Sequence, residues 1–254
     1  MTVHLLETSG LTKRYGGLTV IRDLDFSLDE GEIKGFLGPN GAGKSTFFNL
    51  ITGVAMPSSG HIFYAGKEIT KSKPHEVAKM GIGRTFQLNP LFGDFTVFEN
   101  VTAAYHLRPH STIGQIFFNT NTYKTNEKYI AKSADEILEF LGLSHVRNEL
   151  AKNLPHGYQK ILGVARALAT KPKLLLLDEP LGGMNPEEIA FSIDAISKLR
   201  DKGITILVVE HNMQILDILD SVTVISFGEK IFEGTPEGMR QDSTVIQTYF
   251  GGAV

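Results

Sequence analysis

The sequence contains no cysteine and no tryptophan, and it has no long hydrophobic run. Without cysteine, disulfide bonds, thiolate catalysis and zinc–thiolate sites are all excluded. The longest apolar runs, such as Leu174–Leu177 and Ile204–Val209, fall far short of the ~18 residues that cross a bilayer. We therefore expect a chain with no transmembrane segment of its own, so that any role at a membrane is peripheral.

An excess of basic residues is missing as well. The 254 residues include 25 Lys and Arg against 28 Asp and Glu, a formal net charge of −3. Nucleic-acid-binding proteins usually carry a basic excess, so we expect no nucleic-acid partner. Met1 to Gly10 contains Glu7 and has no basic stretch before an apolar one, which predicts an intracellular protein without a secretion signal.

Apolar strands alternate with helices along the chain. Leu174–Leu177 and Thr205–Val209 are continuous apolar runs, and a helical stretch, Pro186–Lys202, lies between them. Further strands are predicted at Val20–Leu28, Ile33–Leu37, Gly60–Gly66 and Ile82–Phe86. Buried strands that alternate with helices are typical of a parallel α/β sheet.

The middle of the chain has a different pattern. From Val97 to about Thr170 the apolar spacing is helical, with Ile130, Ala134 and Leu138 on one face. Within this region the segment 107–128 is polar and aperiodic, which predicts a surface insertion.

A glycine-rich loop lies between the predicted strand Ile33–Leu37 and a helix. It fits the pattern G-x-x-x-x-G-K-[ST] with the residues Gly38-Pro39-Asn40-Gly41-Ala42-Gly43-Lys44-Ser45. Glycines let backbone N–H groups approach a phosphate, and the helix N-terminus adds a positive dipole. Lys44 would reach the β- and γ-phosphates and the Ser45 hydroxyl would bind Mg²⁺. The alternative is a glycine-rich turn that binds nothing.

Two acidic residues, Asp178 and Glu179, end the apolar run Leu174–Leu177. Ligands of α/β proteins bind at the carboxyl ends of the strands. Asp178 would hold magnesium, and Glu179 would orient and polarise the attacking water. The alternative is a pair of acids that cap a strand in a solvated loop.

His211 follows another predicted strand end, Thr205–Val209. It is placed to contact the γ-phosphate or the attacking water. A histidine after a strand is more often structural, so the residue alone leaves both interpretations open.

In this order the motifs resemble the ATP-binding cassette (ABC) family, and the resemblance covers nearly the whole chain. It implies an α/β fold: a P-loop NTPase core with a parallel sheet, an N-terminal antiparallel β subdomain and a helical signature subdomain. Residues 1–254 would form one ABC ATPase domain. Residues 1–87 and 171–254 would form the core with its antiparallel part, and residues 88–170 the helical subdomain.

The resemblance also implies an ATP- and Mg²⁺-dependent site. It makes Gln87 the Q-loop glutamine, His211 the switch histidine and Tyr15 the aromatic that stacks on adenine, with a plain surface tyrosine as the alternative. The predicted nucleotide-binding residues are Tyr15, Gly38, Pro39, Asn40, Gly41, Ala42, Gly43, Lys44, Ser45, Thr46, Gln87 and Gly157. The predicted metal ligands are Ser45, Gln87 and Asp178, and the predicted catalytic residues are Glu179 and His211.

The signature segment departs from the family pattern Leu-Ser-Gly-Gly-Gln. Here it reads Leu154-Pro155-His156-Gly157-Tyr158. In the family this segment faces ATP bound to the other ATPase subunit. Proline has neither a hydroxyl nor an N–H group, so Pro155 removes a γ-phosphate donor, and we expect a weakened signature.

The closest resemblance is to ATPase subunits of branched-chain amino acid importers. It rests on the segment Phe92–Val101 before the insertion, the D-loop Gly182–Pro186 and the tail from Glu233 to Gly251. Within the D-loop, Asn185 suits either a helix cap or a dimer contact. Within the first segment, the run around Phe92, Phe95 and Phe98 suits either a core or a docking surface for a membrane subunit.

This subgroup implies partners and a location. We expect transmembrane permease subunits, a second and different ATPase subunit, and a peripheral position on the cytoplasmic face of the plasma (inner) membrane. Urea, short amides and other amino acids remain open as cargo. A soluble non-transport ABC ATPase and a catalytically silent nucleotide-binding subunit are the rival interpretations.

Overall fold

The computed structural model describes residues 4–85, 91–105 and 120–250, with the backbone alone for residues 249 and 250. The chain divides into two compact units. The first unit consists of Met1–Arg84, Lys173–Gly182 and Ser197–Val254, and the second of Thr85–Pro172 and Gly183–Ile196. No helix in the described ranges is both long and apolar enough to cross a membrane.

An antiparallel sheet forms one part of the first unit. Its strands are β1 (Leu6–Tyr15), β2 (Leu18–Leu28), β4 (Ser59–Tyr64) and β5 (Lys67–Glu68), in the order β2-β1-β4-β5. Strand β2 forms as predicted, because Leu24, Phe26 and Leu28 are buried on one face. Strand β1 is not among the predicted strands, since register shifts around Leu11 and Lys13 interrupt its two-residue period.

A six-stranded sheet forms the other part of the first unit. Its strands are β3 (Ile33–Leu37), β6 (Ile82–Arg84), β7 (Leu174–Asp178), β8 (Thr205–Val209), β9 (Ser221–Ser226) and β10 (Glu229–Gly234). The order is β10-β9-β3-β8-β7-β6, and all neighbours are parallel except β10 and β9. Every residue of β3, β7 and β8 is buried, which explains their nearly continuous apolar sequences. The predicted α/β fold with a parallel core sheet is confirmed.

Helices of the first unit pack on these sheets. They are α1 (Lys44–Ile51), α2 (Pro74–Lys79), α7 (Pro236–Gln241) and α8 (Ser243–Phe250). Aromatic side chains join α1 to both sheets. Phe47 of α1 stacks on Phe36 of β3 with ring centroids 4.2 Å apart, and it meets the edge of Phe26 of β2 at 5.1 Å. These contacts hold α1 against both sheets.

The second unit is helical. Its helices are α3 (Val97–Tyr105), α4 (Asn121–Phe140), α5 (His156–Ala169) and the first part of α6 (Pro186–Asp201). Residues 107–119 of the predicted insertion lie outside the described residues, whereas Asn121–Lys128 are helical and none of them is buried, so the surface insertion stays a prediction. The first buried residue of α4 is Ile130, so its opening turns show no apolar period, and Thr120 caps them by accepting a hydrogen bond from the Tyr123 N–H (3.3 Å).

A buried ion pair ties the edge strand β6 to its neighbours. The Arg84 guanidinium donates to a carboxylate oxygen of Asp178 on β7 (2.9 Å) and to the side-chain oxygen of Asn49 on α1 (2.7 Å). Only 9% of the Arg84 side chain and 5% of the Asp178 side chain are exposed. Each charge therefore depends on its partner, because a buried ion without one is strongly destabilising.

We expect Arg84→Met to lower the free energy of unfolding by about 3–5 kcal/mol, since it leaves the Asp178 carboxylate buried without this cation. The double variant Arg84→Met/Asp178→Asn should lose less than Arg84→Met alone, because both charges are gone. Urea unfolding followed by circular dichroism measures this in a chain that lacks tryptophan. Strictly additive losses from Arg84→Met and Asp178→Asn would contradict the coupling.

Candidate functional site

The glycine-rich loop between β3 and α1 is held tightly against neighbouring backbone. A Cβ at Gly38 would lie 2.4 Å from the Ile225 carbonyl oxygen. A Cβ at Gly43 would lie 2.8 Å from the Val20 carbonyl oxygen, and the φ of Gly43 is 109°. No side chain fits at either position. Both ends of the loop therefore require glycine, and the loop leads into the N-terminus of α1.

Lys44 is the first residue of α1, and its side chain is hydrogen-bonded to the backbone of this loop. Its side-chain Nζ donates to the carbonyl oxygens of Gly38 (2.7 Å) and Pro39 (3.0 Å). Burial lowers the pKa of Lys44, while nearby carboxylates, Glu179 first among them, counteract that shift. Ser45, the next residue, is exposed. The loop thus brings a cation, a hydroxyl group and a helix N-terminus together.

The carboxyl end of β7 carries the two acids. Asp178 is the last residue of the strand and is 5% exposed. Glu179 follows with a φ of 48°, in the left-handed region that non-glycine residues rarely adopt. Its N–H donates to the Val209 carbonyl oxygen at the end of β8 (2.8 Å), and 21% of its side chain is exposed. The strained turn ends the strand at Glu179.

His211 lies beside Glu179. Its Nδ1 is 4.0 Å from Glu179 Oε1, and 55% of its side chain is exposed. The two predicted catalytic residues are thus brought together from the ends of adjacent strands, β7 and β8. Gln87, the other predicted γ-phosphate sensor, lies outside the described residues.

Sequence reasoning missed Glu210, which lies between β8 and His211. This carboxylate is completely buried, and one of its oxygens is 3.6 Å from His211 Nδ1. The available signal was a charged residue directly after an apolar strand, Thr205–Val209. That signal resembles an ordinary strand end, so sequence alone did not single it out.

Tyr15 ends β1, next to the glycine pair that connects β1 to β2. Half of its surface is exposed, and the Lys13 ammonium lies 4.7 Å from the ring centroid. An exposed ring at a strand end is compatible with stacking on a base and with a plain surface residue. Substitution has to separate the two.

The signature segment starts α5, with Pro155 as the residue before the helix. Gly157 is buried, and its N–H donates to Glu188 Oε1 on α6 (2.9 Å). A Cβ at Gly157 would lie 2.8 Å from the Cβ of Glu188. An internal carboxylate therefore already occupies one donor of the signature helix.

Glu188 also completes a capping box at the start of α6. The Asn185 side chain accepts from the Glu188 N–H, and the Asn185 N–H donates to Glu188 Oε2, both at 3.0 Å. Of the two interpretations of Asn185, the structure shows the helix cap. The Glu188 carboxylate thus accepts hydrogen bonds from backbone N–H groups at the start of α5 and at the start of α6.

The aromatic segment before α3 lies on the surface. Phe92 and Phe95 are 47% and 45% exposed, with ring centroids 5.1 Å apart. Asn100 is fully buried beneath them. Its side chain accepts from the Phe92 N–H and donates to the Phe92 carbonyl oxygen, both at 3.0 Å. The segment is therefore held rigidly while its two rings remain outside the core.

Among the residues that the structure describes, no group of three or more His, Asp or Glu side chains could hold a metal ion. A divalent cation here would therefore take few carboxylates from the protein, together with oxygens of a substrate. Magnesium is usually bound in this manner, through one or two carboxylates and substrate phosphates.

Comparison with known proteins identifies a family. The model of the ABC transporter family matches residues 21–182. The chain is 37% identical over 255 residues to the high-affinity branched-chain amino acid transport ATP-binding protein BraF of Pseudomonas aeruginosa, and the match covers all of both chains. LivG of Escherichia coli, with the same description, is 36% identical over 255 residues, again across all of both chains.

Comparison with solved structures points to the same family as these relatives. A nucleotide-free ATP-binding cassette from an ABC transporter superposes with a TM-score of 0.85 at 32% identity, covering 98% of this chain and 99% of that chain. The ADP conformation of an ATP-binding cassette gives a TM-score of 0.84 at 31% identity, covering 98% and 100%. The resemblance drawn from the sequence is confirmed, and the chain belongs to the family of ABC transporter ATP-binding proteins.

Proposed function

We propose that this chain is the Mg²⁺-dependent ATPase subunit of an importer of branched-chain or related amino acids. Relatives that it matches over 96% or more of their length are described as branched-chain amino acid transport ATP-binding proteins. The observation that carries the proposal is the meeting of Lys44, Glu179 and His211 at one edge of the central sheet. A glycine-rich turn that binds nothing would need none of these three.

In this proposal the loop Gly38–Gly43 and Lys44 bind the phosphates of ATP, and Thr46 adds a donor in the first turn of α1. On binding, the Lys44 ammonium exchanges its two loop carbonyls for phosphate oxygens. An ion pair with phosphate is stronger than a hydrogen bond to a neutral carbonyl, so the exchange is favourable.

The donors near Lys44 fit magnesium. Ser45 supplies an exposed hydroxyl and Asp178 a carboxylate, and hard oxygen ligands of this kind suit Mg²⁺. Gln87 is the third proposed ligand. When bound, Mg²⁺ would neutralise charge on the β- and γ-phosphates.

Hydrolysis is assigned to the two strand-end residues. Glu179 would accept a hydrogen bond from the attacking water and polarise it toward the γ-phosphate. His211, whose Nδ1 lies 4.0 Å from Glu179 Oε1, would contact the γ-phosphate, with Gln87 as a second sensor. In-line attack then gives ADP and phosphate.

Lys44→Ala and Glu179→Gln should separate binding from hydrolysis. Lys44→Ala removes the phosphate cation, so ATP affinity should fall. Glu179→Gln retains the shape of the side chain but not its charge, so ATP should bind normally and persist. Equilibrium binding and phosphate release measure the two effects, and equal phosphate release by Glu179→Gln and wild type would refute the role of Glu179.

Tyr15→Ala should lower ATP affinity by about 0.5–1.5 kcal/mol if the ring stacks on adenine. Tyr15→Phe should have almost no effect, because the ring is retained. The GTP affinity of the same variants should be measured beside their ATP affinity for comparison. An unchanged ATP affinity in Tyr15→Ala would make Tyr15 a surface residue.

A transporter ATPase needs permease subunits, and the exposed pair Phe92 and Phe95 is the proposed surface for them. Aromatic residues on a rigid support are typical of protein interfaces. We also propose that the chain lies on the cytoplasmic face of the membrane, because ATP is available there. We assign no cargo from these residues, since the ATPase subunit does not carry the transport pocket.

We also propose that the chain pairs with a different ATPase subunit. Its own phosphate loop and Glu179 are intact, whereas the signature that it would offer to a partner's ATP lacks a serine at Pro155. The Glu188 carboxylate also occupies the Gly157 N–H and places negative charge there. A partner with a complete signature would serve this chain's ATP better than a second copy.

Pro155→Ser should raise ATP-dependent self-association and phosphate release of the isolated chain, and Pro155→Ser/Glu188→Ala should raise both further. Glu187→Ala, in the same exposed first turn of α6, is the control for added Glu188→Ala. Analytical ultracentrifugation with ATP and a phosphate assay measure the outcome. The proposal fails if the wild-type chain alone dimerises with ATP and turns over as fast as its assembled complex.

A further inference from the structure

A buried carboxylate, Glu210, joins the two loops that carry the proposed catalytic residues. It directly follows β8 and none of its surface is exposed. One oxygen, Oε1, accepts from the Leu181 N–H (2.8 Å), two residues after Glu179. The other, Oε2, accepts from the N–H groups of His211 (2.7 Å) and Asn212 (3.2 Å).

These contacts form a bridge with the carboxylate as its centre. The segment after Glu179 is attached on one side and the backbone of His211 on the other. The main chain also links the two strand ends, from the Glu179 N–H to the Val209 carbonyl oxygen (2.8 Å). The spacing of 4.0 Å between Glu179 and His211 therefore depends on both links.

The buried Glu210 carboxylate needs hydrogen bonds that match both its length and its charge. A buried carboxylate is costly unless hydrogen bonds satisfy it, and three backbone N–H groups do so here. A glutamine of equal length offers one acceptor oxygen, and its NH₂ group would face the N–H groups on the other side. An aspartate retains the charge but is one methylene shorter, so it cannot span both loops.

We infer that Glu210 is a positioning residue for ATP hydrolysis, which holds Glu179 and His211 at their working separation without touching the substrate. The inference rests on the proposed function. It predicts a specific pattern: hydrolysis depends on the length and the charge of residue 210 together, while ATP binding by the loop at Lys44 does not.

The test uses the full chain purified with its co-purifying membrane subunits. Phosphate release at saturating Mg-ATP should fall about tenfold to a hundredfold in both Glu210→Gln and Glu210→Asp, as small misplacements of catalytic groups cost that much. The dissociation constant for ATP should stay within twofold of wild type. Hydrogen–deuterium exchange of the full chain without nucleotide should speed up at the N–H groups of Leu181, His211 and Asn212 and stay unchanged in β3.

Asp220→Asn is the matched control. Asp220 also accepts a backbone N–H in the same sheet, that of Ile33 (2.8 Å), but at the amino end of β3. It should change phosphate release less than twofold, even where it lowers thermal stability. This control separates slower hydrolysis caused by misplaced catalytic residues from slower hydrolysis caused by lower stability of the whole chain.

The results that would overturn the inference differ from the result that would overturn the proposed function. Normal phosphate release in Glu210→Gln, or full recovery in Glu210→Asp, overturns the inference, because either result makes the bridge dispensable. Faster exchange throughout β3 in Glu210→Gln also overturns it in favour of a purely structural role. A wild-type complex that neither binds nor hydrolyses ATP overturns the proposed function instead, while the exchange data still test the bridge.

Discussion

The register of three buried parallel strands determines where the glycine-rich loop, the two acids and His211 lie. β3 pairs with β8 and β8 pairs with β7, so that Asp178 stands directly beside Val209. Their carboxyl ends therefore meet at one edge, with the glycine-rich loop, the two acids and the histidine on three neighbouring strands. A slip of one residue in β7 would turn Asp178 to the other face of the sheet.

The sequence alone predicted those features for which a local sequence rule and the tertiary structure agree. The strands β3, β7 and β8 are buried on both faces, so their apolar runs identify them, and the loop motif before Lys44 has few alternative structures. For Asn185 the capping partner Glu188 lies only three residues later, so the cap was one of the two interpretations that the sequence offered. These features are local in sequence, and local physics specifies them.

Features that depend on distant partners could not be predicted. Strand β1 exists because β2 and β4 pair with it, although its own period is interrupted by bulges. The bridge at Glu210 joins residues 29 positions apart, and the contact of Gly157 with Glu188 spans 31. No spacing rule links such pairs, since only the folded sheet and helices bring them together.

The close packing around Gly38 and Gly43 affects the thermodynamics of ligand capture. Because neighbouring backbone packs closely on both ends of the loop, less main-chain entropy remains to be lost when an anion arrives. The groups that must rearrange are side-chain contacts, chiefly those of the Lys44 ammonium. The enthalpy of association should therefore report mostly on exchanged ionic contacts, with only a small heat-capacity change from ordering the loop.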